Sequence, residues 1–395
     1  MSHHPVAGFR FSGIHCGIKS NGKPDLGMIV ADAPVACAGV YTTNQVVAAP
    51  VVLSQSHLRD HQQAQVVVIN SGNANACTGA VGDTDALRMA QETAELVECD
   101  IRDVQVCSTG VIGAPLPMDA VSQGIKDAHE AVHSDRLDAF GDAICTTDTF
   151  RKMRSARLSI GNRTIHIAGV SKGAGMIHPN MATMLGVVVT DAPIAAPTLN
   201  EMWATICGQT FNAITVDGDT STNDTALIMA SGKAGGAALT GEELAEFEQA
   251  LLSLTTELAK DIVRDAEGGT KVIEICVSRA PSTTDARQVA ETIALSPLVK
   301  TAFHGEDPNW GRIIAATGRS GVSINPEKLS LSIGGHDIYR NGRWLGSEAE
   351  ARAHQVMKTD EYGLIVDLGI GQDSHKIYTC DLSAEYVAIN ADYRS

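Results

Sequence analysis

The stretch Ser171-Lys-Gly-Ala-Gly-Met-Ile-His-Pro-Asn-Met-Ala-Thr-Met-Leu-Gly-Val-Val-Val-Thr-Asp-Ala192 carries the pattern that decides how the chain is read. It opens as a glycine-rich turn with one lysine, passes through His178-Pro179-Asn180, and enters an apolar run at 185–189 directly after Ala182-Thr183. A β-branched run this short, bounded by turn residues, predicts a buried strand rather than a helix. The turn is not a phosphate loop, because its lysine precedes the glycines and the Walker spacing is missing. Nor is it a dinucleotide fingerprint, because no third glycine opens a helix. Two readings remain: a turn into a core strand, or a turn that presents a reacting group at the strand's start.

The same signature recurs outward from this point. Apolar runs at 66–69 and 104–107 end at Asn70-Ser71-Gly72 and Ser108-Thr109-Gly110. Helices are predicted between such runs. The clearest covers 240–266, where Leu244, Phe247, Leu251, Leu254, Leu258 and Ile262 share one face, with Thr240 and Glu243 spaced as a capping box. Two more are predicted at 83–98 and 199–211. Farther on, Leu329, Leu331 and Ile333 alternate with serines into Gly334-Gly335, a hairpin signal. Runs at 364–368 and 377–380 read as further strands. The fold class is therefore α/β, in the layered α+β sense, with substantial sheet. The glycines at 232–236 read as a loop, and no linker stands out. Hydrophobic residues are 44% of the chain but aromatics only 4%, with 37 glycines, so the core should be aliphatic with close backbone approaches.

The formal charge of −16 argues against nucleic acid as a partner, since most of the surface would repel it. The nine cysteines are odd in number and include no Cys-x-x-Cys, which predicts reduced thiols rather than disulfides or zinc. No run has the length of a membrane span, and no basic start leads into an apolar stretch, so a soluble, cytoplasmic protein is expected. Asp217-Gly-Asp-Thr-Ser-Thr-Asn-Asp224 lacks the glycine and the closing glutamate of a calcium loop, Ile228 standing at the latter position, so no metal is expected. His304 reads as a structural or supporting residue.

The sharper reading of Thr183 needs a base, because a threonine hydroxyl is unreactive at its free pKa. A backbone amine titrating near ~8 supplies one. That amine exists only once the peptide bond between Ala182 and Thr183 is cut.

The segments 172–176 and 180–185 resemble the self-processing site of the ornithine acetyltransferases, the glutamate N-acetyltransferases of cyclic arginine biosynthesis. Similar blocks follow in register along nearly the whole chain. They are Asn70-Ser-Gly-Asn-Ala-Asn-Ala-Cys-Thr-Gly79, Cys107-Ser-Thr-Gly-Val-Ile-Gly113, Thr146-Thr-Asp-Thr149, Thr215-Val-Asp-Gly-Asp-Thr-Ser-Thr-Asn-Asp-Thr225, Asp261-Ile-Val-Arg-Asp-Ala-Glu-Gly268 and Gly305-Glu-Asp-Pro-Asn-Trp-Gly-Arg312.

The resemblance implies a fold like that of N-terminal-nucleophile hydrolases yet distinct from them. It implies an α chain of 1–182 and a β chain of 183–395, intertwined and paired as a heterotetramer of two of each. It assigns Thr183 as the nucleophile that takes acetyl from N-acetylornithine and passes it to glutamate, and Thr109 with Gly110 as the oxyanion hole. Substrate contacts fall on Thr146, Lys172, Thr183, Glu267, Asn390 and Ser395. No cofactor is implied, although some members accept acetyl-CoA as donor and the sequence leaves that open. Two rivals stand beside this reading. One is an aminopeptidase or amidase of the same fold, with water as acceptor. The other is an unprocessed small-molecule-binding protein.

Overall fold

Successive side chains of an extended strand point to opposite faces. In the strand Gln63–Asn73, Val66 and Val68 join one buried cluster, while Val67 and Ile69 join another. A strand apolar on both sides requires a sheet covered twice. A computed structural model describes residues 5–178 and 184–392. They form two compact units. One lies within Met1–Asn212 and Asp219–Ile262, the other within Ala213–Gly218 and Val263–Tyr393.

The sheet of the first unit runs in the order Val104–Val111, Gln63–Asn73, Leu26–Tyr41, Thr225–Ala230, Leu185–Thr190, Arg163–Lys172, Lys152–Ile160, with Phe9–Ile14 paired to Leu26–Tyr41. The helices Gly79–Val97 and Met118–Glu130 cover one face through Met89, Ala90, Val121 and Ile125. The other face packs on Leu137, Phe140 and Ile144 of the helix Leu137–Ile144. Leu185–Thr190 is buried along its whole length, antiparallel to Arg163–Lys172 and parallel to Thr225–Ala230. Its register sets Leu185 opposite both Lys172 and Thr225.

In this sheet Thr225–Ala230 and Leu185–Thr190, from after position 183, lie between strands from before it, so the sheet needs both 1–182 and 183–395. No linker marks the two units because the division falls inside the helix Gly241–Arg264, after Ile262. The second unit has its own sheet, ordered Arg343–Trp344, His336–Arg340, Ser330–Ile333, Glu361–Asp367, Val272–Ala280, Asp373–Cys380, Ile214–Thr215. Ala286, Val289, Ala290 and Ile293 of the helix Thr283–Ala294 cover it.

The mixed α/β class stands. The predicted strands appear as Gln63–Asn73, Val104–Val111, Leu185–Thr190, Glu361–Asp367 and Asp373–Cys380. The hairpin closes at Gly334 and Gly335, both at positive φ, where a side chain would be strained. The helices run Gly241–Arg264, Gly79–Val97 and Ala196–Gln209. Glu243, expected to cap the first of these, instead pairs its carboxylate with the Arg163 guanidinium. No described helix is long and apolar enough to cross a membrane.

A fully buried aliphatic side chain contributes about 1.5–3 kcal/mol by leaving water, and truncating it also leaves a cavity. Leu227→Ala, in the middle of the first sheet, should therefore cost about 2–5 kcal/mol in denaturant unfolding. Ile365→Ala, at a side chain 44% exposed, should stay within about 0.5 kcal/mol of the parent.

Candidate active site

Three short segments of the first unit meet around buried charge. The parallel strands Gln63–Asn73 and Val104–Val111 end together, with Gly72 opposite Gly110. Gly110 has a φ of 132°, and a Cβ built there would lie 2.3 Å from the carbonyl carbon of Gly72. Only glycine fits. The close approach fixes Thr109, which is 2% exposed. Ser108 Oγ donates to Asn70 Oδ1, and Asn223 Nδ2 donates to the carbonyls of Ser108, at 2.9 Å, and Ala74, at 2.6 Å.

Lys172 closes the strand Arg163–Lys172 and is buried; its Nζ donates to Thr109 Oγ1 at 3.2 Å. A threonine oxygen that accepts from an ammonium keeps its own O–H free to donate elsewhere. That is the property an oxyanion donor needs. Burial pushes the Lys172 ammonium below its ordinary pKa, against the opposing pull of Asp148. An arriving carboxylate would supply further counter-charge there.

Asp148 organises the cluster. Its Oδ1 accepts from Lys152 Nζ at 2.6 Å and from the Gly173 amide at 2.8 Å, and its Oδ2 accepts from the Thr146 amide at 2.9 Å. Burial works to raise its pKa, but Lys172 and Lys152 outweigh that and hold the carboxyl at about 2. The polar turn carrying Thr146 is thereby tied to the glycine turn after Lys172. Asp224 adds a second buried carboxylate, accepting from the Met184 amide at 2.9 Å through Oδ1.

In the second unit, Asn390 Nδ2 donates to Glu267 Oε2 at 3.0 Å. The helix Ala384–Asp392 docks on the turn after Glu267. Ser383 Oγ donates to the Gly268 carbonyl at 2.6 Å, and a Cβ at Gly268 would lie 2.5 Å from the Tyr386 nitrogen. His304 bonds Asp381 Oδ2 at 2.7 Å. Asp381 also receives the Thr270 and Lys271 amides, so the pair anchors a turn. Among the described residues no group of three or more His, Cys, Asp or Glu is arranged to hold a metal ion.

The structure thus brings Thr109, Gly110, Lys172 and Thr146 into one neighbourhood, and Glu267 to Asn390. The candidate nucleophile Thr183, Ala182 before it and the terminal Ser395 lie outside the described residues. Asp148 and Lys152 were not assigned a role from sequence, whereas Asp224 was expected to join the hydrogen bonding around the site as part of the 217–224 run. The one available signal for Asp148 was Lys152 four positions later, a spacing that more often marks a solvated pair.

A model of the ArgJ family matches residues 10–395. The chain is 47% identical over 392 residues to the arginine biosynthesis bifunctional protein ArgJ of Geobacter sulfurreducens, covering 99% of this chain and 100% of that protein. A solved chain of the arginine biosynthesis bifunctional protein ArgJ from Bacillus halodurans is 42% identical; 96% of it matches 51% of this chain, with a TM-score of 0.49. The ornithine acetyltransferase of Mycobacterium tuberculosis, solved with ornithine, is 35% identical; 93% of that chain matches 45% of this one, with a TM-score of 0.40.

The depressed pKa of Asp148 makes stability depend on pH. Its contribution is full above the unfolded carboxyl value near ~4 and is lost as pH falls through about 2. The shift corresponds to about 2 kcal/mol. Asp148→Asn should flatten the unfolding free energy between about pH 4 and 2 in an acid titration followed by circular dichroism.

Proposed function

The chain belongs to the ArgJ family and is an acetyltransferase of arginine biosynthesis, and we propose that it carries the acetyl group on Thr183. In this reading the Ala182–Thr183 peptide bond is cut by the chain itself, and the new amine serves as base. The Thr183 hydroxyl adds to the acetyl carbonyl of N-acetylornithine while its proton passes to that amine. The Thr109 hydroxyl and the Gly110 amide receive the negative oxygen; losing one such donor typically costs about 3–4 kcal/mol of barrier. Collapse breaks the amide C–N bond, the amine returns its proton to the departing ornithine, and an acetyl ester remains. Glutamate then attacks the ester with its α-amine and leaves as N-acetylglutamate.

The observation that carries the reading is the buried Lys172 ammonium, 3.2 Å from the Thr109 hydroxyl. A cation for an amino acid's carboxylate and a donor for the oxyanion stand side by side. Thr146, Glu267, Asn390 and Ser395 are the further proposed substrate contacts, on the family resemblance. That the relatives are named bifunctional supports a second donor, for which acetyl-CoA is our candidate. Two α and two β chains as the assembly, and the cytoplasm as the compartment, belong to the same proposal. All nine cysteines are unpaired thiols, in keeping with a reducing compartment. Relatives named for arginine biosynthesis favour transfer over the amidase and binding-protein alternatives.

Intact-mass measurement of folded protein should give two fragments, one beginning at Thr183, while Thr183→Ala stays uncut and inactive. With N-acetylornithine and glutamate present, N-acetylglutamate and ornithine should form in equal amounts. Free acetate in place of N-acetylglutamate would establish the amidase instead.

A further inference from the structure

A further lysine, Lys19, reaches the first unit's site from the loop 15–25, which joins the antiparallel strands Phe9–Ile14 and Leu26–Tyr41. The buried Asp25 carboxylate holds that loop, accepting from the amides of Cys16, Gly17, Ile18 and Lys19 at 2.6, 3.2, 2.8 and 2.9 Å. The Lys19 stem then runs over Gly72, where a Cβ would lie 3.0 Å from the Lys19 Cγ. Gly72 is the residue against which Gly110 packs. At its tip, Lys19 Nζ donates to the carbonyls of Pro24, at 2.8 Å, and of Cys145, at 2.5 Å, the residue before Thr146.

An ammonium has three donors. Two of those on Lys19 go to carbonyls, and it makes no ion pair among the described residues. Burial pushes its pKa below the ordinary value, and Lys172 pushes the same way, against Cys145, Asp25 and Asp148. The Cys145 carbonyl ends the helix Leu137–Ile144, where a cation is favoured. A neutral donor would satisfy both carbonyls without the cost of drawing a charge out of water. In a chain of net charge −16, a half-buried cation with no counter-ion beside the oxyanion candidates calls for an anion.

The two substrates differ in what they offer such a cation. N-acetylornithine has one carboxylate and a side chain ending in an ammonium, whereas glutamate has two carboxylates. Lys172 stands ready for the carboxylate they share. We propose that Lys19 is a specificity-determining residue for the acceptor: its third N–H takes the side-chain carboxylate of glutamate while Lys172 takes the α-carboxylate. This rests on the reading of glutamate as the acceptor. Gly72 and Gly110 are partners on adjacent strands, about 4.8 Å apart, so Lys19, over Gly72, and Lys172, bonded to Thr109, flank the same turn. The two carboxyl carbons of glutamate are four covalent bonds apart, at most about 5 Å, and a charge-assisted hydrogen bond adds about 2.8 Å at each end. That reach suits two ammoniums on either side of one turn. The ammonium of the donor would be repelled by Lys19, so only the acceptor gains from it.

The test compares the parent, Lys19→Gln and Lys19→Arg by thermal melting and by steady-state transfer from N-acetylornithine to glutamate and, separately, to free glutamine. Lys19→Gln keeps two donors for the carbonyls and loses the charge. Its KM for glutamate should rise about 10- to 100-fold, the scale of a lost hydrogen bond to a charged group. Its KM for N-acetylornithine should stay level or fall, and its use of glutamine should stay within about threefold, so the preference for glutamate shrinks. Lys19→Arg, which keeps the charge, should retain that preference within about tenfold. A KM for glutamate within about threefold of the parent would overturn the proposal. So would equal losses with glutamate, glutamine and N-acetylornithine, because Lys19 would then only hold the turn before Thr146. If Lys19→Gln does not melt cooperatively, the parent still decides: equal use of glutamine and glutamate would overturn the proposal, and a preference for glutamate of about tenfold or more that Lys19→Arg retains would support it. A parent that makes no N-acetylglutamate from either variant's substrates would instead remove the acceptor reading itself.

Discussion

The Asp148 carboxylate, held out of water between two lysines, is the interaction on which the first unit's site depends. Lys152 and Lys172 are both buried, and the low dielectric of the interior would set two uncompensated cations against each other at high cost. Asp148 resolves this by direct contact with Lys152 and by its field at Lys172. Its remaining lone pairs take the backbone amides of Thr146 and Gly173. One carboxylate therefore fixes a polar turn, the end of a strand and the opening of the glycine turn. Its removal would release the positions of Thr146 and Lys172 together.

The sheet register does the complementary work. Lys172, Leu185 and Thr225 share one register line, so the end of one strand and the starts of two others converge. Asp224 and Met184 stand just beyond that line, joined by their own bond. On the other side of the cluster, Asn223 ties the same loop to Ser108 and Ala74. Because strands from both sides of position 183 interleave, a cut there would leave ladder hydrogen bonds and buried aliphatic contacts holding the two pieces together.

The strands at 66–69, 104–107 and 185–189 were legible because each is β-branched and stops at turn residues. Leu26–Tyr41 was not, although it pairs with three neighbours, because Asp32 and Pro34 interrupt its pattern where the pairing slips between Val30 and Val35. Thr109, Gly110 and Lys172 were found through the resemblance and their spacing to the turn. Asp148 stayed hidden because an acid in a polar turn carries no sign of burial. The 217–224 run was read as hydrogen bonding around the site, but the full burial of Asp224 stayed hidden because the strand Thr225–Ala230 that buries it begins one residue later. Charges made internal by long-range pairing leave no local trace.

In the proposed reaction the acetyl group rides on Thr183. Mature protein mixed with N-acetylornithine in the absence of glutamate, quenched in acid, digested and mapped by mass spectrometry, tests it directly. One acetyl group, as an ester, is expected on the peptide that begins at Thr183, and it should disappear when glutamate is added before the quench. Acetyl found on Lys172 or any other side chain, or no acetyl on a fully active preparation, would contradict it.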